Sequence, residues 1–128
     1  MDKVVHFEIP ADNVERAKKF YQETFDWKIT PVPQLNYTLL GTVEIDEKNM
    51  PKEKGAINGG LTERSFGIQG SVLTISVDNI DEAIKKIEKQ GGKIVQGKME
   101  VPTVGLIAYF ADTEGNILGL IQPTEWRV

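Results

Sequence analysis

A short segment of this chain occurs twice. Asp12–Ala17 has the sequence DNVERA, and Asp78–Ala83 has the related sequence DNIDEA. The two copies are 66 residues apart in a chain of 128 residues, so the repeat distance is about half the length. Each copy follows a run with strand-like alternation and opens a run with helical periodicity. A repeat at this distance predicts two similar modules packed side by side, and their seam is a natural place for a small-molecule pocket.

Hydrophobic periodicity predicts the order βαβββ in each half. In the first half the strands are predicted at 4–9, 27–30, 36–43 and 56–61, with a helix that has Asp12 as its N-cap and ends near Thr24. In the second half the strands are predicted at 72–77, 93–96, 104–111 and 117–122, with a helix that ends at Gly91. We therefore expect an α+β fold in a single domain, 1–128, with modules at about 1–62 and 71–123. The modules should form a curved mixed sheet around a cavity, with the helices on its outer face.

Composition excludes several classes of function. The net charge is −4 and no basic stripe is present, which disfavours nucleic-acid binding through phosphate contacts. No apolar run approaches the length of a membrane span, and the chain starts without a signal-peptide core. The absence of cysteine excludes disulfides and thiolate chemistry and fits a cytoplasmic protein. The single histidine makes a transition-metal enzyme unfavourable.

Period-two alternation places four polar side chains on one face of the sheet. On the first strand His6 and Glu8 lie opposite Phe7 and Ile9. On its repeat Thr74 and Ser76 lie opposite the apolar residues of that strand. If the apolar faces pack on the helices, these four residues line the cavity and are the predicted ligand-binding set. The alternative is that they are polar groups that hydrogen-bond to one another.

His6 and Glu8 are also the candidate catalytic residues, as a general acid–base pair near neutral pH. Residues two apart on a strand do not form a tight dyad by default, which disfavours catalysis by this pair. A shifted metal site at the same two residues needs a third ligand from elsewhere. The strand phase of Tyr37, Asn58 and Tyr109 is not fixed by the sequence. The aromatic residues of the first helix and the next strand are expected in the core; they are Phe20, Tyr21, Phe25 and Trp27.

Several separated motifs resemble the vicinal oxygen chelate superfamily, which includes glyoxalase I, extradiol dioxygenases, fosfomycin-resistance enzymes and bleomycin-resistance proteins. The motifs are 6–12 (HFEIPAD), 20–21 (FY), 25–27 (FDW), 56–61 (AINGGL), 101–105 (VPTVG), 112–115 (DTEG) and 119–123 (GLIQP). The later motifs are similar to a branch described as predicted enzymes related to lactoylglutathione lyase. Asp26 stands where relatives often have glycine, and aspartate tolerates the left-handed backbone that such a turn needs.

The resemblance also implies where a metal would bind. Metal-dependent relatives use four ligands, one on the first and one on the fourth strand of each module. Counted along this chain, the positions are Val4, Val72, Gly119 and either Gly59 or Gly60. None of these side chains can donate to a metal, so we expect no metal and no cofactor, and no metal-dependent glyoxalase or dioxygenase activity.

The function predicted from the sequence is binding of an unidentified small molecule in the cavity between the modules. The alternative is a metal-independent glyoxalase-related enzyme, of lyase or isomerase type, with His6 and Glu8 as acid–base groups. A homodimer is expected because relatives of this size commonly dimerise, and neither nucleic acid nor membrane is an expected partner.

Overall fold

The computed structural model describes residues 1–48, 50–65 and 68–124. By contacts the chain forms two compact units, one of Met1–Val5 with Val72–Val128 and the other of His6–Ser71. The first half contains β1 (Lys3–Ala11), α1 (Val14–Phe25), β2 (Lys28–Val32), a 3-10 turn (Pro33–Leu35), β3 (Tyr37–Gly41) and β4 (Gly59–Glu63). The second contains β5 (Val72–Ser76), α2 (Ile80–Lys89), β6 (Lys93–Val101), β7 (Gly105–Ala111) and β8 (Ile117–Pro123). The predicted α+β class and the order βαβββ in each half are confirmed.

The strands of the first half are arranged in the order β2-β3-β4-β1. β1 and β4 are parallel, while β2–β3 and β3–β4 are antiparallel. One face of these strands packs against α1 in a core centred on the fully buried Leu40 and Leu61. The contributing residues from β1 are Phe7 and Ile9. The helix therefore covers one face, as predicted, and the other face of β1 is left for polar residues.

The start of α1 differs from the prediction by one residue. The N-cap is Asn13, whose Oδ1 accepts a hydrogen bond from the backbone N of Arg16 at 2.9 Å. Asp12 instead pairs with the Arg64 guanidinium at 3.0 Å. Asn79 caps α2 in the same way as Asn13 caps α1, by accepting from the backbone N of Glu82. The residue that both copies of the repeat need at the cap is therefore asparagine.

β1 is longer than predicted, because Pro10 does not end it. Pro10 is in register with Thr62 of β4, and the pairing continues to Ala11. Proline restrains φ but leaves an extended backbone accessible, so its ring is compatible with this strand. At the other end of α1, Asp26 has a left-handed backbone with φ of 60°, as the sequence predicts.

The aromatic residues near the end of α1 are only partly in the core. Trp27 packs against the α1 core and stacks on Tyr21, with ring centroids 5.0 Å apart and an interplanar angle of 6°. Phe20 and Phe25 are 55% and 56% exposed. Their prediction as core residues is wrong: their rings contact Tyr21 but stay more than half exposed, and neither belongs to the α1 core.

The second half repeats the pattern with the strand order β5-β8-β7-β6. β5 and β8 are parallel, and β7 is antiparallel to both of its neighbours. α2 packs on one face through Ile80, which is fully buried, together with Ala83, Ile84 and Ile87. β6 extends beyond its predicted end to Val101, with irregular register against β7. No helix in the described parts of the chain is long and apolar enough to cross a membrane.

The turn between β7 and β8 is organised by one carboxylate. Asp112 Oδ1 accepts from the backbone N of Glu114 at 2.8 Å and of Asn116 at 2.9 Å. Its Oδ2 accepts from the Asn116 side-chain amide at 3.0 Å. These hydrogen bonds, that of the Asn116 side chain first, hold the pKa of Asp112 below its usual range.

We predict that Asp112→Ala lowers the stability of the protein at neutral pH, and that the loss shrinks as the solution is acidified. A carboxyl whose pKa is depressed by folding stabilises the native state above its unfolded pKa of about 3.9, and this contribution disappears as the pH falls through the lower native pKa. Urea unfolding at several pH values measures the difference. Asp112→Asn keeps an acceptor oxygen and also lacks the titration, so its loss should be smaller than that of Asp112→Ala but should shrink on acidification in parallel with it. A loss for Asp112→Ala that stays constant down to pH of about 2 would contradict the assignment.

Candidate functional site

His6 and Glu8 lie on the face of β1 that is turned away from α1. Their neighbours Phe7 and Ile9 pack in the α1 core, and successive side chains on a strand point to opposite faces. Both His6 and Glu8 are half-buried. The face predicted for this pair is therefore confirmed, and we call it the open face of the first module.

Tyr37 joins the two residues that the sequence singles out. Its hydroxyl donates to Glu8 Oε2 at 3.1 Å and lies 2.9 Å from His6 Nε2. A phenol has one proton. Because that proton points to Glu8, the bond to His6 needs a proton on Nε2. The rings of His6 and Tyr37 are nearly parallel, with an interplanar angle of 22°. The three side chains form one hydrogen-bonded chain, which we call the His6–Tyr37–Glu8 cluster.

A glycine makes room for this arrangement. Gly60 on β4 is the cross-strand partner of Glu8 on β1 and of Leu39 on β3. A Cβ atom at Gly60 would overlap the Tyr37 phenol. The phenol therefore occupies the space in which a side chain at position 60 would lie. Sequence reasoning left the phase of Tyr37 open, and the signal that would have fixed it is the glycine opposite Glu8.

In the second module the predicted residues Thr74 and Ser76 lie on the face opposite α2. Their neighbours Ile75 and Val77 pack in the α2 core. Thr74 is 8% exposed and pairs with Gly119, which in turn pairs with Tyr109. The predicted orientation is confirmed, whereas contact of either residue with a ligand stays a prediction.

Asn58 has a structural function. Its side-chain oxygen accepts from the backbone N of Thr42 at 2.7 Å and of Val43 at 3.2 Å. It also lies 3.2 Å from the Thr42 hydroxyl. These bonds fix the chain where it leaves β3, so the side chain is engaged away from the His6–Tyr37–Glu8 cluster.

The strand registers correct one position of the ligand set implied by the resemblance. Glu8 pairs with Gly60 in the first module, and Thr74 pairs with Gly119 in the second. Both Glu8 and Thr74 precede the asparagine N-cap of their module by five residues. They are therefore equivalent. Val72 lies two residues before Thr74, and His6 lies two residues before Glu8, so the equivalent of Val72 is His6 and not Val4. Since Gly119 is the partner of Thr74 and Gly60 is the partner of Glu8, the equivalent of Gly119 is Gly60 and not Gly59.

The corrected set still does not fit a metal ion. Of its four positions only His6 has a donor side chain; the others are Gly60, Val72 and Gly119. The Tyr37 phenol fills the space beside Gly60. Among the residues that the structure describes, no group of three or more His, Cys, Asp or Glu side chains is placed to hold an ion. We therefore derive no chemistry through a metal.

A hollow of about 480 Å³ lies in the same unit, beside the first turn of α1 and the segment 31–38, and Tyr37 is among the residues that line it. Among the residues that line it, Thr38 and Leu61 belong to the α1 side of the sheet. The charged side chains at its rim include Glu15, which pairs with Lys18 at 3.1 Å. Surface pairs of this kind are common and contribute little. The His6–Tyr37–Glu8 cluster is the better candidate site, because it joins three chemically versatile side chains from two strands.

Comparison with known proteins gives the family. The chain is 33% identical over 114 residues to a glyoxylase-like domain-containing protein of Didymella fabae, a match that covers 85% of this chain and 84% of that protein. The chain belongs to the vicinal oxygen chelate superfamily. Residues 3–42 match the family described as bleomycin resistance protein-like N-terminal. A lactoylglutathione lyase of Neisseria meningitidis is 25% identical over 125 residues, with 94% of this chain and 90% of that protein covered.

Several solved structures share the fold. A methylmalonyl-CoA epimerase of Streptomyces coelicolor aligns with a TM-score of 0.68 and 13% identity, over 96% of this chain and 95% of the other. A hypothetical protein of Bacillus halodurans aligns with a TM-score of 0.64 and 16% identity, over 97% and 96% of the two chains. At these identities the likeness concerns architecture, and one fold hosts many activities.

We predict that Gly60→Ala displaces the Tyr37 ring and destabilises the protein by about 1–3 kcal/mol, the usual range for overpacking. Thermal or urea unfolding measures the loss, and the His6 ring signals in NMR report the broken hydrogen bond. In a Tyr37→Leu background the same change should cost less, because the overlapping phenol is gone. Gly97→Ala is the matched control, since a Cβ there meets nothing within 4 Å. Equal stability of Gly60→Ala and wild type would contradict the packing described here.

Proposed function

We propose that this member of the superfamily binds a small molecule on the open face of the first module, without a metal ion. The observation that carries the proposal is the hydrogen-bonded His6–Tyr37–Glu8 cluster. It brings an imidazole, a phenol and a carboxylate together from β1 and β3, and all three are only half-buried. Ligand sites typically combine a few convergent polar groups of this kind with apolar surface.

Apolar surface is present beside the cluster. Leu39 pairs with Gly60 across β3 and β4 and is 44% exposed. On the neighbouring strand its partner is Thr30. Gly60 adds no side chain between Leu39 and Glu8. A ligand on this face therefore meets polar groups on β1 and an apolar side chain on β3, with the Tyr37 phenol over Gly60 between them.

Binding is favoured over catalysis as the primary function. Three of the four corrected ligand positions lack a donor side chain of the kind that the superfamily's metal-dependent members use, and the described residues supply no replacement set. The relatives include a lactoylglutathione lyase, which keeps the metal-independent enzyme as the competing hypothesis. The homodimer, the cytoplasmic location and ligand contacts of Thr74 and Ser76 stay predictions.

A screen of a metabolite library by thermal shift and ¹⁵N-correlated NMR tests this proposal. We expect at least one compound to perturb the signals of His6, Glu8 and Tyr37, and Tyr37→Phe to weaken its binding about tenfold, as loss of a hydrogen bond in a desolvated site does. Tyr21→Phe is the matched control, because Tyr21 stacks on Trp27 beside α1. Ligands that bind only elsewhere would refute the site.

The same protein samples distinguish the competing functions. Metal analysis after equilibration with zinc, nickel or manganese should find less than stoichiometric metal. Tightly bound metal in a one-to-one ratio would overturn the metal-free assignment. Conversion of a bound compound that His6→Ala abolishes would establish the enzyme, whereas binding without conversion in both proteins would support the binding function.

A further inference from the structure

We propose that the hollow beside the first turn of α1 is a second ligand site, which takes a small protonated amine that also carries a hydroxyl group. The hollow adjoins the helix side of the sheet, whereas the proposed function uses the open face. Its wall contains one buried hydroxyl, that of Thr38, and one carboxylate without an ion-pair partner among the described residues, that of Glu63. These two groups determine the class of ligand.

Thr38 is a polar residue in an otherwise apolar row of the sheet. Its cross-strand partner on β2 is Pro31, and its partner on β4 is Leu61, which pairs in turn with Ile9 of β1. Leu61 and Ile9 pack in the α1 core, so the row lies on the face that α1 covers. Thr38 is only 4% exposed and lines the hollow. Its side chain therefore forms part of the wall on the helix side.

The Thr38 hydroxyl has no hydrogen-bond partner within the described parts of the chain. Those parts also contain no side-chain oxygen or nitrogen that is both sealed from solvent and unpartnered. The hydroxyl therefore keeps an opening to the hollow. A hydroxyl among apolar residues is stabilised by a hydrogen bond, and here a water molecule or a ligand group supplies it from the hollow. A ligand hydroxyl suits this position, because it both donates and accepts.

The charged groups of the wall favour a cation. Three carboxylates and one ammonium group line the hollow. Asp12 pairs with Arg64 at 3.0 Å, and Glu15 pairs with Lys18 at 3.1 Å. The remaining carboxylate, Glu63, forms no ion pair with any residue that the structure describes. A protonated amine supplies the opposite charge together with N–H donors, and such charge-assisted hydrogen bonds are the strong ones.

The spacing of the two groups sets the size of the ligand. Glu63 follows Leu61 by two positions on β4, so both side chains lie on the face that also holds Thr38. Such diagonal neighbours on adjacent strands are about 7–8 Å apart. An amine and a hydroxyl at opposite ends of a ring with a short linker span this distance. The ring meets apolar residues of the wall, among them Val14 and Pro31, and the volume of about 480 Å³ is in the usual range for ligand sites.

Four fragments of similar shape test the proposal. Tyramine has both groups, phenethylammonium lacks the hydroxyl, 4-ethylphenol lacks the amine, and 3-(4-hydroxyphenyl)propionate has a negative charge in place of the positive one. They are titrated at millimolar concentration into the full chain at neutral pH and followed by ¹⁵N-correlated NMR. We expect tyramine to perturb Val14, Thr38 and Glu63 and to bind about tenfold more tightly than either fragment with one group, since each lacks one hydrogen bond. The anionic fragment should bind most weakly.

Two variants assign each group of the ligand to its partner. In Thr38→Val tyramine should bind no more tightly than phenethylammonium, because its hydroxyl has lost the partner. Without fragments this variant should unfold no earlier than the wild type, because no hydrogen bond within the described parts of the protein is lost. In Glu63→Gln tyramine should bind no more tightly than 4-ethylphenol. Glu23→Gln is the matched control, since it removes the same charge from an exposed residue that does not line the hollow.

Several results would overturn the proposal. Equal affinities of the four fragments, or an equal loss in Glu63→Gln and Glu23→Gln, would show that the class of ligand is wrong. A tyramine advantage over phenethylammonium that persists in Thr38→Val would remove the assigned hydroxyl contact. Tyramine that perturbs only His6 and Glu8 would overturn the second site and leave the proposed function standing. The second site is also refuted if no fragment perturbs the residues of the hollow at about 10 mM.

Discussion

The alternation of side chains along β1 is the constraint on which the first module depends. Phe7 and Ile9 are held in the α1 core, where Leu40 and Leu61 are fully buried. Because successive side chains of a strand point to opposite faces, that packing places His6 and Glu8 on the face of β1 that is turned away from α1. A slip of one residue would bury a carboxylate and an imidazole against α1 and expose the apolar pair. The packing of the hydrophobic core therefore determines the face of the sheet on which the polar cluster lies.

Much of the architecture was predictable from the sequence. The repeat and the periodicity of its two halves give the order of elements, and the strand phase gives the faces of His6, Glu8, Thr74 and Ser76. The errors are local. Asp12 was expected at a cap that Asn13 occupies, and Pro10 was expected to end a strand that continues past it. Aspartate and asparagine are nearly equal as N-cap residues, so the sequence does not decide between Asp12 and Asn13. Asp12 pairs instead with Arg64, a residue far along the chain whose proximity the sequence does not show.

The candidate site was predictable only in part. Two of its members share a strand, so their proximity follows from local geometry. Tyr37 comes from β3 and reaches them across β4, which requires the strand order and the register. Strand order and register are also unknown when the metal-ligand positions of the superfamily are counted along the sequence. Counting from the strand ends led to Val4, whereas the pairings of Glu8 with Gly60 and of Thr74 with Gly119 identify His6 as the counterpart of Val72.

The overlap between the Tyr37 phenol and the space beside Gly60 also has an evolutionary consequence. A larger residue at position 60 is accommodated only after Tyr37 has changed, and a tyrosine at position 37 is accommodated only while position 60 is glycine. The two positions are thus epistatic, and single substitutions in the wrong order pass through a poorly packed protein. A protein that has Tyr37 together with Gly60 therefore cannot accept a larger residue at position 60 by a single substitution without loss of packing. Placing a carboxylate at position 60 of β4 would require first replacing the phenol that joins His6 to Glu8.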